Sequence, residues 1–320
     1  MKNKILVYSA TIDEITDNVT DWVKSKGYEV LRLNGKDFVS DNVEILISNS
    51  NNKNEINSIN FDSIGVFWFR KGESIDFEKY FLELDDVNMK KFIIPFLFQE
   101  GIALKNAVYK LKGNSQAINY NSLFGFNKIY NLNIAVQSNL KVPATLITSQ
   151  KNKIVHFKKN YKTIITKPIS ENLIFKTEED SYSFYTSEVS SEIIEEKDNV
   201  IFPVLIQEKI EKIYEVRVFF LNGIIYSMAI LSKELDYRKE YGANRYLLYE
   251  LPGNIKQSIV LFMKKMKLES GMIDLIKSKN GDYVFLEVNP SGQFSDMSEN
   301  CNLYLEEIFS NELIKMTNHD

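Results

Sequence analysis

The first 33 residues restrict the fold most. Residues 4–9 (Lys-Ile-Leu-Val-Tyr-Ser) form a short apolar run of buried-strand type, and residues 13–26 carry a helical pattern that stops at Gly27. Residues 28–33 (Tyr-Glu-Val-Leu-Arg-Leu) return to strand character. Strand, helix and strand with joints this short predict a parallel βαβ start, so the chain opens as an α/β protein. No Gly-x-Gly-x-x-Gly follows the first strand, which disfavours a dinucleotide there. Residues 48–54 read as a polar loop or hairpin tip. Residues 63–72 (Ser-Ile-Gly-Val-Phe-Trp-Phe-Arg-Lys-Gly) read as a third apolar strand that ends on Arg70 and Lys71. Open α/β sheets bind ligands at the carboxyl ends of their strands, so both cations are candidates to face a substrate; solvated charges after a core strand are the alternative. Residues 76–99 carry a helical pattern expected to break or kink around Pro95.

Size and composition narrow the function. A chain of 320 residues, 44% hydrophobic and 26% charged, can bury large cores in two or three lobes. A formal net charge of −4 does not suggest a mostly basic nucleic-acid-binding surface. The single cysteine, Cys301, excludes an internal disulfide and a cysteine-rich zinc site, and points to a reducing cytoplasm. No stretch reaches the ~18 apolar residues of a membrane span, and the N-terminus runs straight into a strand. A soluble cytoplasmic protein with no membrane partner is expected.

The middle of the chain reads as follows. Residues 103–127 are weakly patterned and are taken as a linking region. Asn127 is placed to cap a helix over 128–139. Residues 141–148 turn into a strand, and residues 163–168 form another that ends on Lys167 and Pro168. Residues 204–210 and 215–221 read as strands, with Asn222-Gly223 as a two-residue hairpin turn to an antiparallel return over 224–230. Arg217 lies within an apolar strand, where a charge is costly unless it meets an anion. Arg238 and Arg245 follow in a loop-like stretch and offer further planar donors for phosphate or carboxylate, or simply a solvated basic loop.

Near the end, Asn280-Gly281-Asp282 turns into a strand over 283–288 that is closed by Pro290. Alternation puts Glu287 and Asn289 on one face and Val288 on the other. Residues 273–276 form a plausible partner strand that would bring Asp274 beside them. Two carboxylates and an amide oxygen are hard donors that suit Mg²⁺, which takes water and substrate phosphate for its other ligands. A hairpin with solvated acids at its rim is the other reading.

The order of these pieces resembles the ATP-grasp superfamily, in the branch that includes the ribosomal-protein glutamate ligase. The matching residues are Asn127-Lys128, Lys167, Gln207-Glu208-Lys209-Ile210, Glu215-Val216-Arg217, Asp236-Tyr237-Arg238, and Asp274 followed by Glu287-Val288-Asn289. Glu215 stands where that branch has Asp. The resemblance implies ATP and Mg²⁺ as cofactors. Lys128 and Lys167 would touch phosphates, Gln207, Glu208, Lys209 and Ile210 would form the adenine hinge, and Glu215 would lie near the ribose. Asp274, Glu287 and Asn289 would hold the metal, while Arg217, Arg238 and Arg245 would steady the transferring phosphoryl group and the acylphosphate.

With residues 66–72 and 142–148 included, the chain resembles the graspetide maturases, the microviridin-type and grasp-with-spasm peptide ligases. Lys71 replaces the second arginine of their Val-Trp-aromatic-Arg-Arg strand, which keeps the charge but loses the bidentate fork. The resemblance implies an ATP-grasp fold of α/β (α+β) lobes with an N-terminal βαβ pre-ATP-grasp domain. Its divisions would be 1–115 (peptide-facing), 116–205 (small lobe) and 206–320 (metal-bearing lobe). The implied activity is phosphorylation of Asp or Glu side chains of a ribosomal precursor peptide and closure of ω-ester or ω-amide rings with Ser, Thr or Lys. The leader of that peptide would meet Glu178, Glu179 and Asp180 in the small lobe, and Arg70 and Lys71 would face the peptide. A homo-oligomer, in the simplest case a dimer, is expected. The rivals are a ligase that joins free amino acids to each other or to a protein tail, and an ATP-binding module without turnover.

Overall fold

The computed structural model describes residues 4–39, 43–46, 53–56, 59–70, 87–110, 115–119, 127–170, 174–176, 181–183, 186–232 and 244–317. The chain groups into two compact units, Met1–Gly125 with Lys267–Ser270 and Pro290–Asp320, and Phe126–Met266 with Gly271–Asn289.

The first unit begins with β1 (Lys4–Tyr8), α1 (Glu14–Ser25) and β2 (Glu29–Leu33). β1 and β2 are parallel, with Lys4 opposite Glu29 and Tyr8 opposite Leu33, as the short joints dictate. Gly27 sits at φ +83°, open to glycine, where α1 gives way to β2. β3 (Val43–Leu46), β4 (Lys53–Ile56) and β5 (Ile59–Asn60) form an antiparallel sheet of their own. β6 (Ile64–Phe69) then lies parallel to β1 on its free edge.

After β6, α2 runs Val87–Lys110 with Pro95 inside it and is not broken there: one lost backbone hydrogen bond does not end a helix that has regular turns on both sides. The stretch read as a linker supplies instead β7 (Gln116–Ile118), parallel to β6, which completes a sheet of order β2-β1-β6-β7. Three residues are too few to show a period, which is why pattern alone missed it.

The second unit starts with α3 (Lys128–Gln137), capped as expected by Asn127, whose Oδ1 accepts from the amides of Ile129 and Tyr130. β8 (Thr145–Gln150), α4 (Lys151–Asn160) and β9 (Ile164–Lys167) follow, then the short pair β10 (Ile174–Lys176) and β11 (Ser181–Ser183). β12 (Ser187–Glu188), α5 (Ser191–Glu195) and β13 (Val200–Glu208) complete an antiparallel sheet of order β12-β9-β13-β8. Its core joins Ile164 and Ile206 of the strands to Ile154 of α4 and Ile194 of α5.

β14 (Lys212–Leu221) and β15 (Ile224–Leu231) form the expected hairpin, with Asn222 at φ 45° and Gly223 at φ 92° in the turn. β16 (Arg245–Tyr249), α6 (Gly253–Met266), β17 (Ser270–Ser278) and β18 (Tyr283–Asn289) finish a second sheet of order β16-β15-β14-β17-β18. The sheet curls far enough for the hydroxyls of Tyr249 and Tyr283, on its two edge strands, to hydrogen-bond. α3 packs on α6 and on β18.

The chain then returns to the first unit with α7 (Ser295–Cys301) and α8 (Leu305–Thr317). α8 covers one face of the parallel sheet, where Trp68 meets Phe309 at 4.5 Å between ring centroids. On the other face Leu6, Tyr8, Phe67 and Phe69 gather with Phe38 and Phe61. A parallel strand buried on both faces reads as a continuous apolar run, which is what residues 64–69 are.

Candidate active site

The hairpin β17–β18 pairs Asp274 with Glu287 and Met272 with Asn289. Beyond Asp274 the register shifts, so that Leu275 pairs with Phe285 and Leu286 has no partner in the ladder. Strict alternation would place Phe285 and Glu287 on one face; the extra residue separates them. Phe285 is fully buried against Phe262 of α6, with ring centroids 4.9 Å apart. Asp274 and Glu287 are half-buried on the opposite face, and Asn289 is exposed at the strand end.

Like charges directly opposite on a sheet repel. Lys167, at the end of β9, answers them. Burial pushes its ammonium pKa down; the charge of Glu287 opposes that, neighbouring Lys128 adds to it, and Asp274 opposes it again. Lys128, the first residue of α3, donates from Nζ to the Pro168 carbonyl at 3.3 Å, one residue past Lys167. Two cations and two carboxylates therefore share one local field. Among the described residues no group of three or more His, Cys, Asp or Glu is assembled. The donor set is thus two carboxylates and an amide oxygen, which fits a hard divalent cation that brings water and phosphate ligands with it.

The hinge lies at the end of β13. Gln207 is 1% exposed and donates from Nε2 to Thr145 Oγ1 at 2.8 Å. Glu208 is tied to Ala144 twice, through its amide to the carbonyl at 2.9 Å and through Oε2, which accepts the Ala144 amide at 3.3 Å. The Lys209 amide donates to Thr163 O at 3.0 Å and its ammonium pairs with Glu188. Downstream, Glu215 accepts from Lys212 Nζ at 2.5 Å.

Arg217 is half-buried on β14 opposite Met228. Arg245 is the exposed first residue of β16, paired with Leu231, where the sequence suggested a loop. In sheet order β16 is the far edge from β18, so the ladder does not bring Arg245 beside Glu287. Lys71, Glu178, Glu179, Asp180 and Arg238 lie outside the described residues.

Arg70 is 7% exposed. Its Nε lies 3.2 Å from Asp13 Oδ2, NH1 donates to the carbonyls of Ser291 and Gly292, and NH2 donates to Gln293 Oε1 at 2.9 Å. Burial pushes its pKa down against the pull of Asp13. These contacts belong to a side chain that holds other parts of its own unit. Sequence reading also passed over Asn119, which closes β7 and binds Ser270 and Pro290. Its one signal was the residue type itself, since Asn accepts the left-handed backbone region.

Residues 127–246 match the family model of the prokaryotic glutathione synthetase ATP-grasp domain. No curated protein sequence matches the chain. Among solved structures, a RiPP-associated ATP-grasp ligase of Chryseobacterium gregarium, in complex with ADP and a leader and core peptide, is 21% identical at a TM-score of 0.80, covering 98% of this chain and 96% of that one. The macrocyclase MdnC of Microcystis aeruginosa, bound with precursor peptide MdnA, is 19% identical at a TM-score of 0.79, with 98% and 99% covered. The ATP-grasp ligase PsnB, complexed with minimal precursor, Mg and ADP, is 19% identical at a TM-score of 0.78, with 99% and 98% covered. At such identities the likeness is one of fold.

Proposed function

We propose that this chain, whose fold is ATP-grasp, is an ATP-dependent ligase that modifies a ribosomally made precursor peptide, activating Asp or Glu side chains and closing ω-ester or ω-amide rings with Ser, Thr or Lys of the same peptide. The observation that carries the reading is the Asp274–Glu287 pair with Lys167 and Lys128 in its field, a charge arrangement suited to a nucleotide's phosphates. The fold likeness to ligases that bind ADP and precursor peptides supports the choice of substrate.

Asp274, Glu287 and Asn289 would hold Mg²⁺, which when bound offsets the negative charge of the β- and γ-phosphates that an incoming carboxylate meets. Lys167 and Lys128 take phosphate oxygens as charge-assisted partners. The backbone of Gln207, Glu208, Lys209 and Ile210 would form the hinge that reads the adenine edge, with Gln207 Nε2 and the Glu208 and Lys209 amides keeping it in place through Thr145, Ala144 and Thr163. Glu215, which accepts from Lys212, would lie near the ribose. A peptide carboxylate oxygen bonds to the γ-phosphorus as the bond to the β-phosphate oxygen breaks and ADP leaves. The hydroxyl or amine then bonds to the acyl carbon, gives up its proton, and phosphate departs. Arg217, Arg238 and Arg245 steady the phosphoryl group through both steps. Positioning and charge do the work, so no strongly tuned acid or base is required.

The same reading assigns peptide contact to 1–115, including Lys71, leader contact to Glu178, Glu179 and Asp180 within 116–205, and the metal to 206–320. Arg70 acts there through the segment it holds. A dimer is supported by the exposed apolar side chains of α2, with Phe92 76% and Phe96 60% exposed. A net charge of −4 argues against a nucleic-acid partner. Among the described residues no helix is long and apolar enough to cross a membrane, and a cytoplasmic site of action suits a ribosomal peptide and ATP.

A second reading, ligation of free amino acids, is favoured by the match of residues 127–246 to a synthetase domain. The deciding experiment incubates the protein with ATP, Mg²⁺ and the short peptide encoded beside its gene. The expected result is one ADP formed and one water lost from the peptide per ring. ADP formation with an amino-acid panel but not with peptide supports the second reading, and ATP binding without ADP under either condition leaves a module without turnover.

A further inference from the structure

We propose that Asn119 is a positioning residue that closes the open end of the β17–β18 hairpin, and so fixes where Asp274 and Asn289 stand; its consequence for metal rests on the reading of that hairpin given above. Asn119 is 1% exposed and holds φ 62°, a left-handed conformation that Asn adopts more readily than most residues. Its side chain is used at both ends. Oδ1 accepts the Ser270 amide at 3.0 Å, while Nδ2 donates to Ser270 Oγ and to the Pro290 carbonyl, each at 2.8 Å. Its own amide donates to Glu269 Oε2 at 2.8 Å.

Ser270 opens β17, and Pro290 is the residue after β18 ends. The last pair of the ladder is Met272 with Asn289, and Pro290, having no N–H, can donate no further rung. The Asn119 amide supplies that rung, with its oxygen on one strand and its nitrogen on both. Gly271 lets the strand ends close to this spacing: a Cβ there would lie 3.2 Å from Val288 Cγ2 and 3.3 Å from Asn289 O. Arg70 extends the hold to Ser291, Gly292 and Gln293, and Asp13 anchors it. Strand ends open most easily where hydrogen bonds run out. Groups that orient metal ligands matter nearly as much as the ligands.

The test compares wild type with Asn119→Ala and Asn119→Asp, the latter keeping an acceptor for the Ser270 amide and losing the donors. Amide hydrogen exchange is measured on the metal-free and nucleotide-free protein, and Mn²⁺ binding in the presence of ADP is measured by electron paramagnetic resonance, with Glu287→Gln as the control. In Asn119→Ala, exchange at Ile273 and Asn289 is expected to quicken by about tenfold or more, as loss of its three side-chain hydrogen bonds gives, with β14 and β15 unchanged. Mn²⁺ affinity is expected to fall roughly tenfold, with Asn119→Asp between it and wild type. Unchanged exchange at the hairpin end overturns the clamp, and faster exchange with wild-type Mn²⁺ affinity overturns its link to the metal. Should Asn119→Ala fail to fold, Ser270→Ala, which removes a single bond, is read the same way. If Glu287→Gln keeps full Mn²⁺ affinity, the metal reading of the hairpin is what fails, and the exchange data alone still decide the clamp.

Discussion

Asp274 stands directly across the hairpin from Glu287, so two like charges occupy a single rung. Such a pair is unfavourable until a cation joins it. If that cation is the metal that ATP brings, Glu287→Gln should lower ADP production by roughly 100-fold or more and leave peptide binding by fluorescence anisotropy largely intact. Wild-type turnover in this variant would falsify the metal assignment.

Lys167 carries its charge into a half-buried position in the field of those acids. Replacing it, Lys167→Met, should raise the dissociation constant for ATP by roughly 10- to 100-fold, the range for a lost hydrogen bond to a charged group. Fluorescent-nucleotide titration reads this directly, and an unchanged constant removes Lys167 from the phosphate site.

The Arg70–Asp13 pair has side chains only 3% and 4% exposed. Asp13→Ala leaves a buried guanidinium without its countercharge and should cost about 3–5 kcal/mol in urea unfolding. The exposed pair Lys4–Glu29 gives the contrast, and Glu29→Ala there should cost less than about 1 kcal/mol. Equal losses at the two sites would mean that burial of the first pair does not matter.

Gly271→Ala pushes a methyl group toward Val288 and the Asn289 carbonyl. Backbone gives way less easily than a side chain, so a loss of about 1–3 kcal/mol is expected from crowding, accompanied by a higher Mg²⁺ requirement for ADP formation. Full stability with normal Mg²⁺ dependence would show that the strand ends have slack.

For the leader, Glu179→Ala combined with Asp180→Ala should weaken precursor binding by roughly tenfold if these acids meet a basic residue. Calorimetry with the full precursor decides, and unchanged affinity removes them from the binding surface.

Local rules carried much of the fold. Short joints announced the parallel start, Asn127 the cap of α3, Asn222-Gly223 the turn of the β14–β15 hairpin, and Asn280-Gly281 the entry to β18. The Asp274–Glu287 pairing was legible because both strands are apolar and joined by a tight turn. The anchoring contacts of Arg70 were not legible, because its acceptors on Ser291 and Gly292 lie 221 and 222 residues away. Asn119 was invisible for the same reason, since its side-chain partners are 151 and 171 residues away. Nothing within a few residues of either side chain specifies what it will bind.

Leu286, the unpaired residue of β18, bears on how related chains should be compared. If it were absent, Phe285 would still meet Leu275 and Glu287 would still meet Asp274, so neither buried ring nor acid would change sides. What it contributes is extra twist and bend in the strand, and hence the direction in which Glu287 and Asn289 are aimed. A relative with one residue fewer between its turn and its Glu-x-Asn-Pro could therefore keep the same chemistry. A one-position gap at that point in an alignment would record a difference of aim, not the loss of a site.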